Sequence, residues 1–136
     1  MKRFDAFLIA VAISVTVVAA GETRAGSLIQ RTPAKVARLV NPYEGDERAS
    51  RAGAKLYGHE CAHCHGKDAE GFRKVPPLNR TDLRSASPGH LFWVLTNGSV
   101  RHGMPSFAHL PEPERWQIIT YIRSLSNRRN SSAVKH

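Results

Sequence analysis

Both cysteines of the chain fall within five consecutive residues, Cys61-Ala62-His63-Cys64-His65, and this pentapeptide constrains the fold more than any other feature. Two cysteines permit one disulfide at most, so a scaffold stapled by several bridges is excluded. Four chemistries use a C-x-x-C spacing. A thioredoxin-like dithiol sits in a βαβ context, and no segment of this chain alternates as a strand. A zinc site needs four ligands. With no second Cys pair, His59, His63 and His65 would have to help complete it. A plain structural disulfide is the third reading. The fourth also uses the following histidine: C-x-x-C-H is the attachment signature of c-type haem. In that chemistry the thiols add across the two haem vinyl groups as thioethers. His65 is then held beneath the iron as the proximal ligand.

The remainder of the chain is short of core. It has 136 residues, 41% hydrophobic and only 7% aromatic. The clearest periodic segment is Glu112–Leu125, where Trp116, Ile118, Ile119, Ile122 and Leu125 form an apolar stripe at helical spacing. Glu112 and Glu114 at its start, with Arg123, Arg128 and Arg129 towards its end, match the helix dipole. Ala49–Gly58 and His90–Thr96 read as two further helices, the second ended by Asn97-Gly98. A short helical turn is expected at Ala34–Leu39. Residues 66–89 and 99–110 read as loops rich in turn-forming residues. The expected class is all-α, about three helices with long loops. Three short helices bury too little on their own, so a covalently held cofactor would supply the missing centre.

The N-terminus has the layout of an export signal. Met1-Lys2-Arg3 is basic, Ala6–Ala20 is apolar apart from Ser14 and Thr16, and small residues follow. Cleavage after Ala25 is favoured over cleavage after Ala20. An uncleaved membrane anchor is the alternative for this segment. The expected organisation is a signal over 1–25, an extended lead-in over 26–48 outside the common core, a domain over 49–126 and a frayed polar tail over 127–136. Removing residues 1–25 takes away three cations and two acids, so the formal charge falls only from +9 to +8. The basic character therefore belongs to the domain. Export and the lack of any nucleic-acid module argue against a nucleic-acid partner.

A haem so attached needs a second axial ligand or an open position. Met104, in Gly103-Met104-Pro105, is the only methionine beyond residue 1. A lone Met is often core filler, but its place on a loop between Gly and Pro favours ligation. His102 is the main rival, ahead of His59, His63, His90 and His109.

These residues together resemble a class I c-type cytochrome of the small bacterial monohaem kind, over Ala49 to Leu125. Gly53 and Tyr57 match the helix that this family packs against its last helix. Cys61, Cys64 and His65 match the attachment site, and Met104-Pro105 matches the distal-ligand segment. Pro76-Pro77-Leu78 is similar to the family's Pro-x-Leu segment, and Trp116 and Tyr121 lie in the expected last helix. The resemblance implies a cytochrome c fold around one haem c. It implies His65 and Met104 as axial ligands, a Pro76 carbonyl accepting the His65 ring N–H, and Leu78 packing on the haem. One departure is the start of the last helix among Pro111 and Pro113, where the family usually has a Ser or Thr cap. Proline is tolerated there. Asn79, Arg80, Trp93 and Arg101 are candidates for the haem propionates.

The function implied is single-electron transfer between exported redox partners, with no bond rearrangement by the protein itself. Two alternatives stand beside it: a haem-bearing subunit of a dehydrogenase or oxidase complex, and a sensor or peroxidase with an open iron. Lys67, Arg73, Lys74 and Arg101 suggest a basic rim for a partner with an acidic face.

Overall fold

Asp46 opens the first long helix by capping it, its carboxylate accepting the backbone N–H groups of Arg48 (2.7 Å) and Ala49 (3.1 Å). The computed structural model describes residues 31–79, 83 and 85–133, and the expected export signal lies outside them. Within that range the helices are α1 (Ala34–Ala37), α2 (Glu47–Glu60), α3 (Ala62–His65), α4 (Pro88–Asn97) and α5 (Glu112–Ala133). A 3-10 turn at Val100–His102 precedes α5. Among the described residues there is no strand, only the isolated bridges Phe72–Val75 and Ser99–Met104.

Packing of α2 on α5 makes the core, as the glycine at position 53 allows. A Cβ on Gly53 would overlap the backbone carbonyl of Gln117, so the two helices touch backbone to backbone there. Tyr57, Trp116, Ile118 and Ile119 are buried around this contact. The Tyr57 and Tyr121 rings lie 5.3 Å apart, and Phe92 of α4 stacks on Trp116 at 4.2 Å. The Trp116 indole N–H donates to Glu112 (3.1 Å), which fixes the first turn of α5 despite its flanking prolines.

Two expectations are corrected here. The lead-in is part of the packed structure. Asn41 is buried, and its amide donates to the Thr120 hydroxyl (2.9 Å) and the Trp116 carbonyl (3.3 Å). Farther back, α1 lies on α4, where a Cβ on Gly89 would overlap the Val36 carbonyl. The Ser87 hydroxyl caps α4 through His90 N–H and donates to the Ala37 carbonyl. The segment thus works as a strap across α4 and α5, held by polar contacts that hydrophobic periodicity does not register.

The second correction concerns the tail. Helix α5 continues to Ala133 instead of fraying from residue 127. No Gly or Pro follows Pro113 in the chain, so nothing local stops the helix. Arg123 is therefore mid-helix. It pairs with Glu44 of the strap (2.9 Å) and donates to the Ala86 carbonyl (3.1 Å), so its charge serves tertiary contacts and not the helix terminus.

Candidate functional site

The attachment pentapeptide folds as one helical turn directly after α2. Cys61 N–H donates to the Tyr57 carbonyl (2.9 Å), and Cys64 and His65 N–H both donate back to the Cys61 carbonyl (3.1 and 2.9 Å). Residues at i, i+3 and i+4 share a helix face, so Cys61, Cys64 and His65 point together. Gly66, at φ +83°, ends the turn, and the Tyr57 hydroxyl donates to its carbonyl at 2.7 Å. The buried tyrosine so pins the turn to the core.

The loop beyond is wound to bring a carbonyl under the histidine. Gly71 N–H donates to the His65 carbonyl (2.7 Å). A tight turn with Arg73 at φ +52° pairs Phe72 with Val75, and the chain emerges at Pro76. The His65 Nδ1–H donates to the Pro76 carbonyl at 3.0 Å, leaving Nε2 as the free nitrogen. Burial lowers the His65 pKa against the opposing pull of the Pro76 bond, and His63 lowers it further. The ring is thereby held neutral, with a lone pair available. Leu78 N–H donates to the Ala69 carbonyl (2.8 Å), and its side chain packs on the core.

Met104 comes from the other loop. Ser99 N–H donates to the Met104 carbonyl (2.8 Å), and Met104 N–H donates to the Ser99 carbonyl (3.1 Å). Gly103, at φ +80°, closes the 3-10 turn between them. This backbone bracket sets the position of Met104 independently of its side chain. Ser99 Oγ also shares a 2.7 Å hydrogen bond with His102 Nδ1.

All six residues expected at the site line one cleft: Cys61, Cys64, His65, Pro76, Leu78 and Met104. The rest of its wall is mainly apolar, with Val94 and Leu95 of α4 and Ile119 and Ile122 of α5. His63 and His102 also line it. Of the other rivals, His90 is tied to Ser87 (2.9 Å) and His109 lies against Phe107, both away from the cleft wall. Sequence reasoning missed Ser99, whose backbone and hydroxyl organise the distal loop. The flanking glycines at 98 and 103 were its only trace.

The competing thiol chemistries fit poorly. The two cysteines are free, not joined. Burial, with smaller effects from Glu60 and Cys64, pushes the Cys61 thiol up to about 12. No group of three or more His, Cys, Asp or Glu side chains converges to hold a metal ion among the described residues. An apolar slot with two thiols and an oriented imidazole on one turn fits a covalent haem.

A helical fold around such a slot defines a c-type cytochrome. The family described as cytochrome c oxidase, cbb3-type, subunit III matches residues 48–122, and the chain belongs to it. The chain is 31% identical over 125 residues to the cbb3-type cytochrome c oxidase subunit FixP of Rhizobium meliloti (strain 1021). That match covers 84% of this chain and 43% of FixP, so the chain spans less than half of that relative. Cytochrome c550 of Pseudomonas aeruginosa is 31% identical over 88 residues, covering 62% of this chain and 61% of that protein. The crystal structure of cytochrome CL from Methylophaga aminisulfidivorans superposes with a TM-score of 0.55 at 27% identity, covering 81% of this chain and 71% of that one. The chain is thus a c-type cytochrome domain that bears covalently attached haem c. Among the described residues no helix is long and apolar enough to cross a membrane.

Proposed function

We propose that this chain is exported to the periplasm by residues 1–25 and passes single electrons between redox proteins there through a His/Met-ligated haem. Cys61 and Cys64 form the thioethers, and His65 Nε2 and Met104 Sδ take the two axial positions. The observation that most supports this is the His65–Pro76 hydrogen bond, which orients the ring and frees Nε2 within the cleft that Met104 also lines. Bound haem supplies the one-electron couple. The protein holds the ring of His65 fixed, excludes water with Leu78, Leu95, Ile119 and Ile122, and offers a neutral thioether. A thioether ligand and burial both raise the potential. With both axial positions filled by protein, no substrate site remains, which disfavours the sensor and peroxidase readings.

The attachment is tested by intact mass. Protein matured in a host able to attach haem is denatured and acid-extracted, and its mass is expected to retain one haem. Cys61→Ser and Cys64→Ser are each expected to leave a single thioether and a lower yield. A mass matching a free dithiol would end the proposal.

Docking is expected at the rim of the cleft. Lys74 lines it, and Lys67, Arg73 and Arg101 are exposed nearby in sequence. We take the partner to present an acidic face, so that opposite charges steer the encounter. Salt screens such steering over a Debye length of about 8 Å at physiological strength. Transfer from the true partner is then expected to slow steeply as salt rises. The triple change Lys67→Glu, Arg73→Glu, Lys74→Glu should slow it further with the optical spectrum unchanged.

A second reading, a haem subunit bound permanently in a complex, has its own support. Phe72 (65% exposed) and Val100 (80%) stand beside Lys74 and Arg101, so the rim is partly apolar. The relatives include oxidase subunits and a quinohemoprotein alcohol dehydrogenase from Pseudomonas putida. A transfer rate indifferent to salt would select this reading over a steered encounter.

A further inference from the structure

Beside the cofactor cleft lies a second recess that shares Val94, Ser99 and His102 with it. Arg31, Trp93 and Arg101 supply the rest of its polar wall, and no acidic residue lines it. Among the described residues neither guanidinium has a carboxylate partner. The indole N–H of Trp93 likewise has no acceptor among them. Guanidinium and indole groups only donate hydrogen bonds. Apart from Ser99 and His102, which hydrogen-bond each other, the polar side chains of this concave wall only donate, and two of them are cationic, which fits carboxylates.

We propose that Arg31, Trp93 and Arg101 receive the haem propionates, with Arg31 reaching the cofactor from the strap, outside the family's matched residues 48–122. The proposal rests on the tethering of haem at Cys61 and Cys64. That tether uses the vinyl groups, and the carboxylates project from another edge of the porphyrin. Most of the cleft wall is apolar, as at Leu78, Val94, Leu95, Ile119 and Ile122, and Glu60 on it would repel a carboxylate. Unpaired carboxylates in apolar surroundings are strongly disfavoured. The adjoining recess is where donors are offered. Asn79, a candidate from sequence, instead donates to the Asp68 carbonyl (3.1 Å), and Lys74 sits on the turn that leads to Pro76 on the His65 side. Arg80 lies outside the described residues.

The strap explains why a residue so far upstream can belong to the site. Backbone contact of Val36 with Gly89, and the Ser87–Ala37 hydrogen bond, lock the strap to the start of α4. Trp93 lies one turn farther along the same helix. Arg31 is therefore placed by the element that also places Trp93.

A cation at a propionate disfavours the ferric state, so its loss lowers the potential. Coulomb's law at an effective dielectric between those of protein surface and water gives about a threefold effect per arginine. The test uses the holoprotein, with potentiometry and resonance Raman spectra of the propionate bending bands. Arg31→Gln and Arg101→Gln are each expected to raise the oxidised-to-reduced ratio at fixed ambient potential about threefold, ~28 mV for one electron, and to move those bands. Trp93→Phe should move the bands with little change in potential, and Arg31→Lys should restore the potential. Lys35→Gln removes the same charge from an exposed position on the strap and should leave both readouts at wild type. Bands unmoved in both arginine variants overturn the proposal, as does a Lys35→Gln shift equal to that of Arg31→Gln. Wild-type protein whose mass lacks covalent haem overturns the tether itself, an outcome told apart by that mass alone.

Discussion

Met104→Ala is expected to abolish the weak far-red absorption band of the ferric protein, open the iron to small exogenous ligands and lower the potential. A thioether stabilises ferrous over ferric iron, so its loss should raise the oxidised-to-reduced ratio at fixed ambient potential at least about tenfold, ~59 mV for one electron. The distal loop should survive the change. Its bracket is made by Ser99 and Met104 backbone groups and by Gly103, none of which depends on the methionine side chain. The spectrum therefore reports ligation and not collapse, and the melting curve checks this. If the band is absent in wild type, or persists in the variant, Met104 is not the ligand. His102 then becomes the first candidate, because it lines the same cleft and its bond to Ser99 leaves the far ring nitrogen free.

The cleft was legible in the sequence because its chemistry is local. Cys61, Cys64 and His65 are spaced for one face of a single turn, and Met104 is flagged by being the lone thioether between Gly and Pro. The Ile119 and Ile122 positions follow from helical periodicity, and both line the cleft as that stripe turns inward. Long-range polar contacts were not legible. Asn41 falls in the stretch that reads as an extended lead-in, yet its amide is buried against Thr120, 79 residues away. Nothing in the local pattern encodes that partner. Gly89 reads as a breaker after Pro88, whereas its missing Cβ admits the Val36 carbonyl. The end of α5 was misjudged for the opposite reason. Residues 127–132 are polar, which suggests fraying, although the segment up to Ala133 lacks any residue that breaks a helix.

Gly53→Ala and Gly58→Ala, the same chemical change five residues apart on α2, are expected to act in opposite directions. At Gly53 the new methyl would overlap the Gln117 carbonyl and crowd the Ile118 amide. These are backbone atoms of α5, held by Ile118 and Ile119 in the core, so no side chain can rotate away. The helices must separate, and overpacking of this kind costs about 3 kcal/mol, a large share of the roughly 5–15 kcal/mol that holds a domain together. Thermal unfolding of the holoprotein should then move down by more than about 10 °C. The loss should also reach the site, since α2 ends at the attachment turn and α5 supplies Ile119 and Ile122 to the cleft wall. Weakening of the far-red band before global unfolding is its expected sign. At Gly58 a Cβ meets nothing within 4 Å, and the residue is exposed within the helix. Alanine there only restricts the unfolded chain, which should stabilise by about 0.5–1 kcal/mol. A Gly53→Ala protein that melts within a degree or two of wild type would show that α2 and α5 do not meet backbone to backbone.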